Sequence, residues 1–165
     1  MKTVSIVVDW GVISLPPASL SQPRFRGQAS ADAKPDSEEN GRGLRILMVE
    51  DDPGLSMMYR VRLEAAGYSV ALATDGEEGL RQIRQGGGFD LVFLDVGLPG
   101  IDGLTVLESI RNSTDVDPVP VVILSNYNEP PMRQRGLSLG AMAYLVKSEI
   151  TPSWLVARIP GWAKR

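Results

Sequence analysis

From Arg45 onward the chain alternates between short unbroken apolar runs and longer segments in which apolar residues recur every three or four positions. That alternation is the pattern of strands and amphipathic helices taken in turn. The run Ile46-Leu47-Met48-Val49 is continuous, as expected of a strand buried on both faces of a parallel sheet. Further strands are predicted over Tyr68 to Leu72, Leu91 to Leu94, Val119 to Leu124 and Met142 to Val146. A first helix is expected to start at Asp52-Pro53, with Asp52 as N-cap and Pro53 at the first helical position, where a missing N–H costs nothing. Leu55, Met58, Tyr59, Leu63 and Ala66 would share its apolar face, and Gly67 would end it. Thr74-x-x-Glu77 has the capping-box form ahead of Leu80 and Ile83, with Gly86-Gly87-Gly88 closing that helix. A third helix carries Leu104, Leu107 and Ile110, and a weaker fourth lies between Pro131 and Leu139. The last begins near Thr151-Pro152 and carries Trp154, Leu155 and Ile159 before Pro160-Gly161 is expected to interrupt it.

Five such β/α units predict an α/β fold, a flavodoxin-like, doubly wound five-stranded parallel sheet with helices on both faces. Residues 1–43 have a different character. Pro16 to Gly43 is rich in Pro, Ser, Gly, Ala and charge without a sustained period, and reads as a disordered leader. The apolar stretch Thr3 to Leu15 is short, is interrupted by Asp9 and lacks a clear cleavage pattern, so a stray extension is expected rather than a signal or anchor. The folded domain is therefore expected over 44–165.

Composition narrows the chemistry. The chain has no Cys and no His, which removes disulfides, thiolate zinc sites, Cys nucleophiles and His general bases. A net charge of -3 with scattered Lys and Arg gives no basic face for direct nucleic-acid binding. Carboxylates, hydroxyls and lysines are left to carry any reaction. In a doubly wound sheet the ligand site lies beyond the carboxyl ends of the strands. There the sequence places Glu50-Asp51-Asp52, Asp95, Ser125 and Lys147, each polar residue directly after an apolar run. Three converging carboxylates would repel by about 4 kcal/mol per pair at about 4 Å and an effective dielectric of about 20, so something positive must sit among them. Hard oxygen ligands with room for water suit Mg²⁺.

The stretches ILMVEDDP, DLVFLDVGLPGIDG, VVILS and AYLVKS, in this order, resemble the four signature segments of response-regulator receiver domains of the CheY-like kind. The spacings agree, with 44 residues from Asp51 to Asp95, 30 from Asp95 to Ser125 and 22 from Ser125 to Lys147. The resemblance covers about Leu44 to Ile159. It implies that Asp95 is the phosphoacceptor, receiving a phosphoryl group from a phosphohistidine on a sensor histidine kinase or phosphotransfer protein, or from a small acyl phosphate. It implies Mg²⁺ held directly by Asp51, through water by Glu50, by Asp95 and by the backbone carbonyl of Gly97. Lys147 would pair with Asp95 and then with a phosphoryl oxygen, Ser125 would turn its hydroxyl to the phosphate, and Tyr144 would move inward in step. The expectation is a stand-alone receiver in the cytoplasm, with no residues after Arg165 for an output domain. It would signal through a downstream protein target, contact neither nucleic acid nor membrane, form at most a weak homodimer and be no classical enzyme.

Several residues depart from that pattern. Ser148 follows Lys147 where relatives commonly have a proline, often cis; a cis non-proline bond costs roughly 2.5–4 kcal/mol, so a trans bond or an altered loop is predicted. Gly97 and Tyr127 stand where side chains flank the phosphate in relatives, and Asn126 replaces the usual small residue after the hydroxyl. Pro160-Gly161 would shorten the last helix. Asp52 is read as a helix cap rather than a ligand, Asp102-Gly103 as a helix-start turn, and Trp154 as a packing residue. Two other functions compete: a receiver-like interaction module that takes no phosphate, and a phosphatase of the haloacid-dehalogenase type. The second expects another acid two residues after the nucleophile, where this chain has Gly97.

Overall fold

A computed structural model describes residues 43–163 apart from positions 87 and 116. The expected leader and the apolar stretch Thr3 to Leu15 lie outside the described residues, Gly43 excepted. Elements alternate without a break: β1 (Arg45–Val49), α1 (Pro53–Ala65), β2 (Ser69–Ala73), α2 (Gly76–Arg84), β3 (Leu91–Asp95), α3 (Gly103–Asn112), β4 (Val121–Ser125), α4 (Pro130–Ser138), β5 (Ala143–Val146) and α5 (Pro152–Trp162). A short 3-10 turn, Lys147–Glu149, links β5 to α5. The strands pair in parallel in the order β2-β1-β3-β4-β5, so the chain reverses direction of travel across the sheet between β2 and β3. The flavodoxin-like doubly wound prediction is thus what the chain adopts.

Unbroken apolar strands require a core on each side. On one face Ile46, Met48, Leu91, Phe93, Val122 and Leu124 pack against Tyr59 and Leu63 of α1 and Leu155 and Ile159 of α5. On the other, Leu47, Val49, Val92, Leu94, Val121 and Ile123 meet residues of α2 and α3, among them Leu80, Ile83, Leu107 and Ile110. Helix α4 is the loosest: its only buried residue is Gly136, where an added Cβ would meet Ile123 Cδ1 at 2.6 Å and Tyr144 Cδ2 at 3.2 Å. It lies flush on the sheet through a residue without a side chain.

Several helix starts follow the predicted chemistry. Asp52 caps α1, its Oδ1 accepting from the N–H groups of Gly54 at 2.7 Å and Leu55 at 2.8 Å. Asp102 caps α3 in the same way, accepting from Thr105 N–H and Oγ1. The cap of α2 is displaced by one residue from the expected one. Asp75, not Thr74, accepts from the N–H of Glu78, and Glu78, not Glu77, reaches back to the N–H and hydroxyl of Thr74. The acid at N3 of the true helix is the one that closes the box.

Three further expectations are corrected. Met58 and Ala66 are exposed, and the small polar Ser56 takes the buried place on α1 beside Tyr59 and Leu63. Pro160 does not interrupt the last helix, which runs on to Trp162 with Pro160 inside its final turns. A proline there removes one hydrogen bond, while Ile159 is fully buried and the Trp162 ring meets Phe93 edge-on at 6.4 Å, contacts that keep the backbone helical. Trp154 is over a third exposed, with its ring under the Arg158 guanidinium at 4.9 Å and beside Trp162 at 6.3 Å. No cis peptide bond occurs among the described residues, in agreement with the trans Lys147–Ser148 bond predicted.

Helix α3 starts hard against the end of β3. The Gly103 N–H donates to the Val96 carbonyl at 3.1 Å, and a Cβ at Gly103 would overlap the carbonyl oxygen of Asp95. Gly103→Ala is expected to lower unfolding stability by about 1–3 kcal/mol, because backbone rather than a flexible side chain must give way. Urea denaturation followed by circular dichroism measures it.

Candidate functional site

Each strand of this sheet delivers its last residue to one edge, and the edge residues of β1, β3, β4 and β5 differ from the strands behind them in being polar. Asp95 is the last residue of β3 and Ser125 the last of β4, while Glu50 and Lys147 directly follow β1 and β5. Glu50, Asp95 and Ser125 are buried, and Asp51 is exposed. Glu50, Asp51 and Asp95 each offer a carboxylate oxygen, and the three oxygens lie within 4.8 Å of one another. Residues separated by up to 45 positions are brought together because parallel strands place their carboxyl ends side by side.

The positive charge demanded by that cluster is a lysine. Lys147 Nζ donates to Asp95 Oδ2 at 2.7 Å and stands 2.6 Å from Glu50 Oε2, with all three side chains nearly inaccessible to water. The two contacts differ. The one to Asp95 is a hydrogen bond, and the one to Glu50 is a close ion pair that also bonds the ammonium. Burial pushes the Glu50 carboxyl above its ordinary pKa, and the opposing pull of Lys147 only partly compensates. Burial also acts to lower Lys147, but the bonds to Asp95 and Glu50 outweigh it and hold the ammonium above the usual lysine range.

Other contacts shape the pocket around Asp95. Its Oδ1 accepts from the Gly97 N–H at 3.1 Å, leaving the carboxylate held at both oxygens. Ser125 Oγ accepts from the Tyr127 N–H at 3.0 Å. Tyr144 is buried, and its hydroxyl donates to the Tyr127 carbonyl at 3.1 Å. The residues singled out from sequence, Glu50, Asp51, Asp95, Gly97, Ser125, Lys147 and Tyr144, therefore meet around one carboxylate and the loop beside it.

Sequence reading named Tyr127 only for the place of its side chain, and did not name Tyr59 for the site. The peptide of Tyr127 joins Ser125 to Tyr144, a link made by main-chain atoms that leave no mark in a sequence. Tyr59, a core residue of α1, has a phenol pushed up by burial, with the charges of Lys147 and Glu50 acting on it in opposite directions. Only its place on the inward face of the helix that follows Glu50-Asp51 could have suggested that.

A buried acidic pair with an adjacent exposed acid fits a small, hard divalent cation. Glu50 Oε2 is engaged by the Lys147 ammonium at 2.6 Å, while the exposed Asp51 leaves the cluster open to solvent on one side. The arrangement can hold a cation against Asp95 and keep a lysine poised on the same carboxylate.

The described part of the chain also has relatives. The family model for the response regulator receiver domain matches residues 46–159. The chain is 38% identical over 107 residues to a gliding motility regulatory protein of Myxococcus xanthus, covering 65% of this chain and 14% of that protein. It is 34% identical over 121 residues to the phosphate regulon transcriptional regulatory protein PhoB of Rhizobium meliloti (strain 1021), covering 73% of this chain and 52% of that protein. The chain thus spans about half or less of these curated relatives. A crystal structure of a two-component response regulator from Clostridium difficile matches with a TM-score of 0.66 and 30% identity, covering 72% of this chain and 93% of that one.

Replacing Lys147 by Met should leave two buried, mutually repelling acids. An expected loss of about 3 kcal/mol at neutral pH, read from urea unfolding, follows from removing one partner of a buried ion pair. Because the Glu50 pKa is raised, that deficit should shrink as pH falls and the carboxyl protonates. For the wild type the sign is set by Lys147: its pairing stabilises the fold fully below the ordinary lysine pKa and is lost as pH rises through the raised value.

Proposed function

We propose, from the premise that this chain belongs to the response regulator receiver family, that it is the phosphoaccepting switch of a two-component phosphorelay, with Asp95 as the acceptor. The observation that carries this is the Lys147 ammonium bound to Asp95 at 2.7 Å within reach of Glu50 and Asp51. The donor is a phosphohistidine of a sensor histidine kinase or phosphotransfer protein, or a small acyl phosphate. An Asp95 carboxylate oxygen attacks phosphorus, the bond from phosphorus to the donor breaks, and the donor leaves with the electron pair.

Mg²⁺ is the cation the site would take, held by Asp51, by Asp95, by the Gly97 carbonyl and through water by Glu50. When bound, it supplies charge that offsets the transferring phosphoryl oxygens. Lys147 moves from the free carboxylate to a phosphoryl oxygen. Ser125 releases the Tyr127 N–H and turns its hydroxyl to the phosphate, which alters the loop that Tyr144 holds from beneath. A local change of charge thereby becomes a change of surface over α4, β5 and α5, read by a downstream protein. This is a signalling role in which the domain assists its own modification, not turnover of an external substrate.

A receiver-like module that takes no phosphate would have no use for buried acids held apart by one lysine, since such a cluster contributes little net stability. The haloacid-dehalogenase reading lacks the second acid, because Gly97 stands in its place. Among the described residues no helix is long and apolar enough to cross a membrane. A cytoplasmic receiver that touches neither membrane nor nucleic acid directly is the reading that the scattered basic residues support.

Intact mass after incubation with Mg²⁺ and acetyl phosphate tests the acceptor: one phosphoryl adduct is expected on the wild type and none on Asp95→Asn. An equal adduct on the variant, or none on the wild type, overturns the assignment. Lys147→Ala is expected to keep Mg²⁺ binding in titration while its phosphorylated form loses the change in partner affinity. An affinity ratio equal to that of the wild type would count against the proposed role of the lysine.

A further inference from the structure

Helix α4, strand β5 and helix α5 share one charge pattern. Neither the stretch from Pro130 to Val146, which spans α4 and β5, nor α5 contains an Asp or Glu, although the chain has 20 acidic residues. The charged side chains that these elements turn to solvent are Arg133 and Arg135 on α4 and Arg158 on α5. Arg135 acts on the carboxyl of Asp102 at the start of α3 and so lies on the α3 flank of its helix. Arg133 and Leu137, one turn apart, take the opposite flank, which borders β5. Strand β5 pairs only with β4 and ends the sheet. On α5, Ser153 meets Arg62 of α1, and α1 covers β1 and β2, so the flank of α5 turned from α1 is the one toward β5. Trp154 and Arg158 stand on that flank, the guanidinium over the indole at 4.9 Å. One face thus presents the exposed apolar side chains Leu137, Met142 and Trp154 with two arginines that have no acidic partner among the described residues.

We infer that this face docks an acidic segment of the downstream protein, one that sets carboxylates against Arg133 and Arg158 and an apolar side chain against Leu137, Met142 and Trp154. Such docking rests on the function proposed above for its response to phosphate; the sign of the face does not. A guanidinium stacked on an indole keeps its N–H edge free for a carboxylate, which it binds with two parallel bonds. Arginine and tryptophan are also the side chains that most often carry binding energy at interfaces. A second copy of this chain is a poor occupant. Apposing two such faces sets arginines against arginines or apolar side chains, with no acid on α4, β5 or α5 to meet them. Nucleic acid is served no better, because two arginines beside an apolar patch fall short of the clustered phosphate contacts that such binding needs.

Glu129, at the cap position of α4, and Glu149, in the turn after β5 and 3.4 Å from Asn128, stand at the carboxyl edge of the sheet. The length of the face below that edge is left without negative charge. Arg133 and Arg158 belong to different helices, and α4 is the lightly held one. Phosphorylation therefore acts on affinity by resetting the distance between the two cations.

The test uses the full chain and three fluorescein-labelled peptides of equal length: glutamates flanking Leu and Phe anchors, the same with lysine for glutamate, and the same with serine for the anchors. Fluorescence anisotropy is expected to show the acidic peptide binding at least about tenfold tighter than the lysine peptide and about threefold tighter than the serine one. Added salt is expected to narrow the first ratio. Arg133→Glu combined with Arg158→Glu, two exposed positions, is expected to abolish or invert that ratio, whereas Arg81→Glu on α2 is expected to leave it as it is. Equal affinity for the acidic and lysine peptides overturns the inference, as does a preference that survives the double reversal or that Arg81→Glu removes as fully. A wild-type dimer in sedimentation whose residues 133–142 are protected from hydrogen exchange assigns the face to a second copy and overturns it too. So does a single-stranded oligonucleotide that binds tighter than the acidic peptide. Loading with acetyl phosphate and Mg²⁺ is read separately by intact mass. A wild type that takes phosphate with no change in peptide affinity removes the link to the switch, and one that takes none removes the acceptor assignment while the peptide ratio still decides the face.

Discussion

A single ammonium group between two buried carboxylates is the constraint on which the site depends. Glu50 and Asp95 arrive from neighbouring strands, and two buried carboxylates so close together are costly without Lys147 at 2.6 and 2.7 Å. The lysine directly follows β5, which β3 and β4 separate from β1, so the cluster assembles only when four strands are in register. Folding and site assembly are in this sense one event. Asp51 stays exposed beside that pair, and one oxygen of each of the three carboxylates lies within 4.8 Å of the others, close enough to hold a cation.

The neighbourhood of Asp95 is built largely from backbone. Gly97 donates an N–H to the carboxylate, Gly103 lets α3 begin against the Asp95 carbonyl, and the Tyr127 peptide bridges Ser125 and Tyr144. Main-chain groups have little freedom once the elements on either side are packed, so these contacts form a stiff frame around the Asp95 carboxylate. Against that frame α4 is lightly held. Its start has no side-chain cap bond, and its one buried residue is the glycine that rests on Ile123 and Tyr144. An element with few buried contacts is the one whose position shifts at low cost when the residues under it change.

The second face of the sheet shows the opposite balance. Helix α5 holds Leu155 and Ile159 fully buried and sets Trp162 against Phe93, enough to carry the helix through Pro160. Helix α1 beside it is joined by a hydrogen bond from Arg62 to Ser153 at 2.9 Å. It keeps Met57, Met58 and Val61 in solvent rather than in the core.

Much of this was legible in the order of residues. Continuous apolar runs are distinctive of buried parallel strands, and a polar residue at the end of each run can only lie at the carboxyl edge of the sheet, so Glu50, Asp95, Ser125 and Lys147 could be brought together from sequence. Caps such as Asp52 and Asp102 were readable because their chemistry is local. What sequence could not decide was anything set by contacts distant in the chain. Pro160 reads as a breaker, yet the packing of Ile159 and Trp162 overrides a local cost. Met58 matches the apolar period, yet the narrow inward face of α1 has room only for Ser56, Tyr59 and Leu63. That Lys147 bridges both acids, and that one tyrosine peptide joins the Ser125 hydroxyl to β5, follows from distances between strands, which only the packed sheet determines.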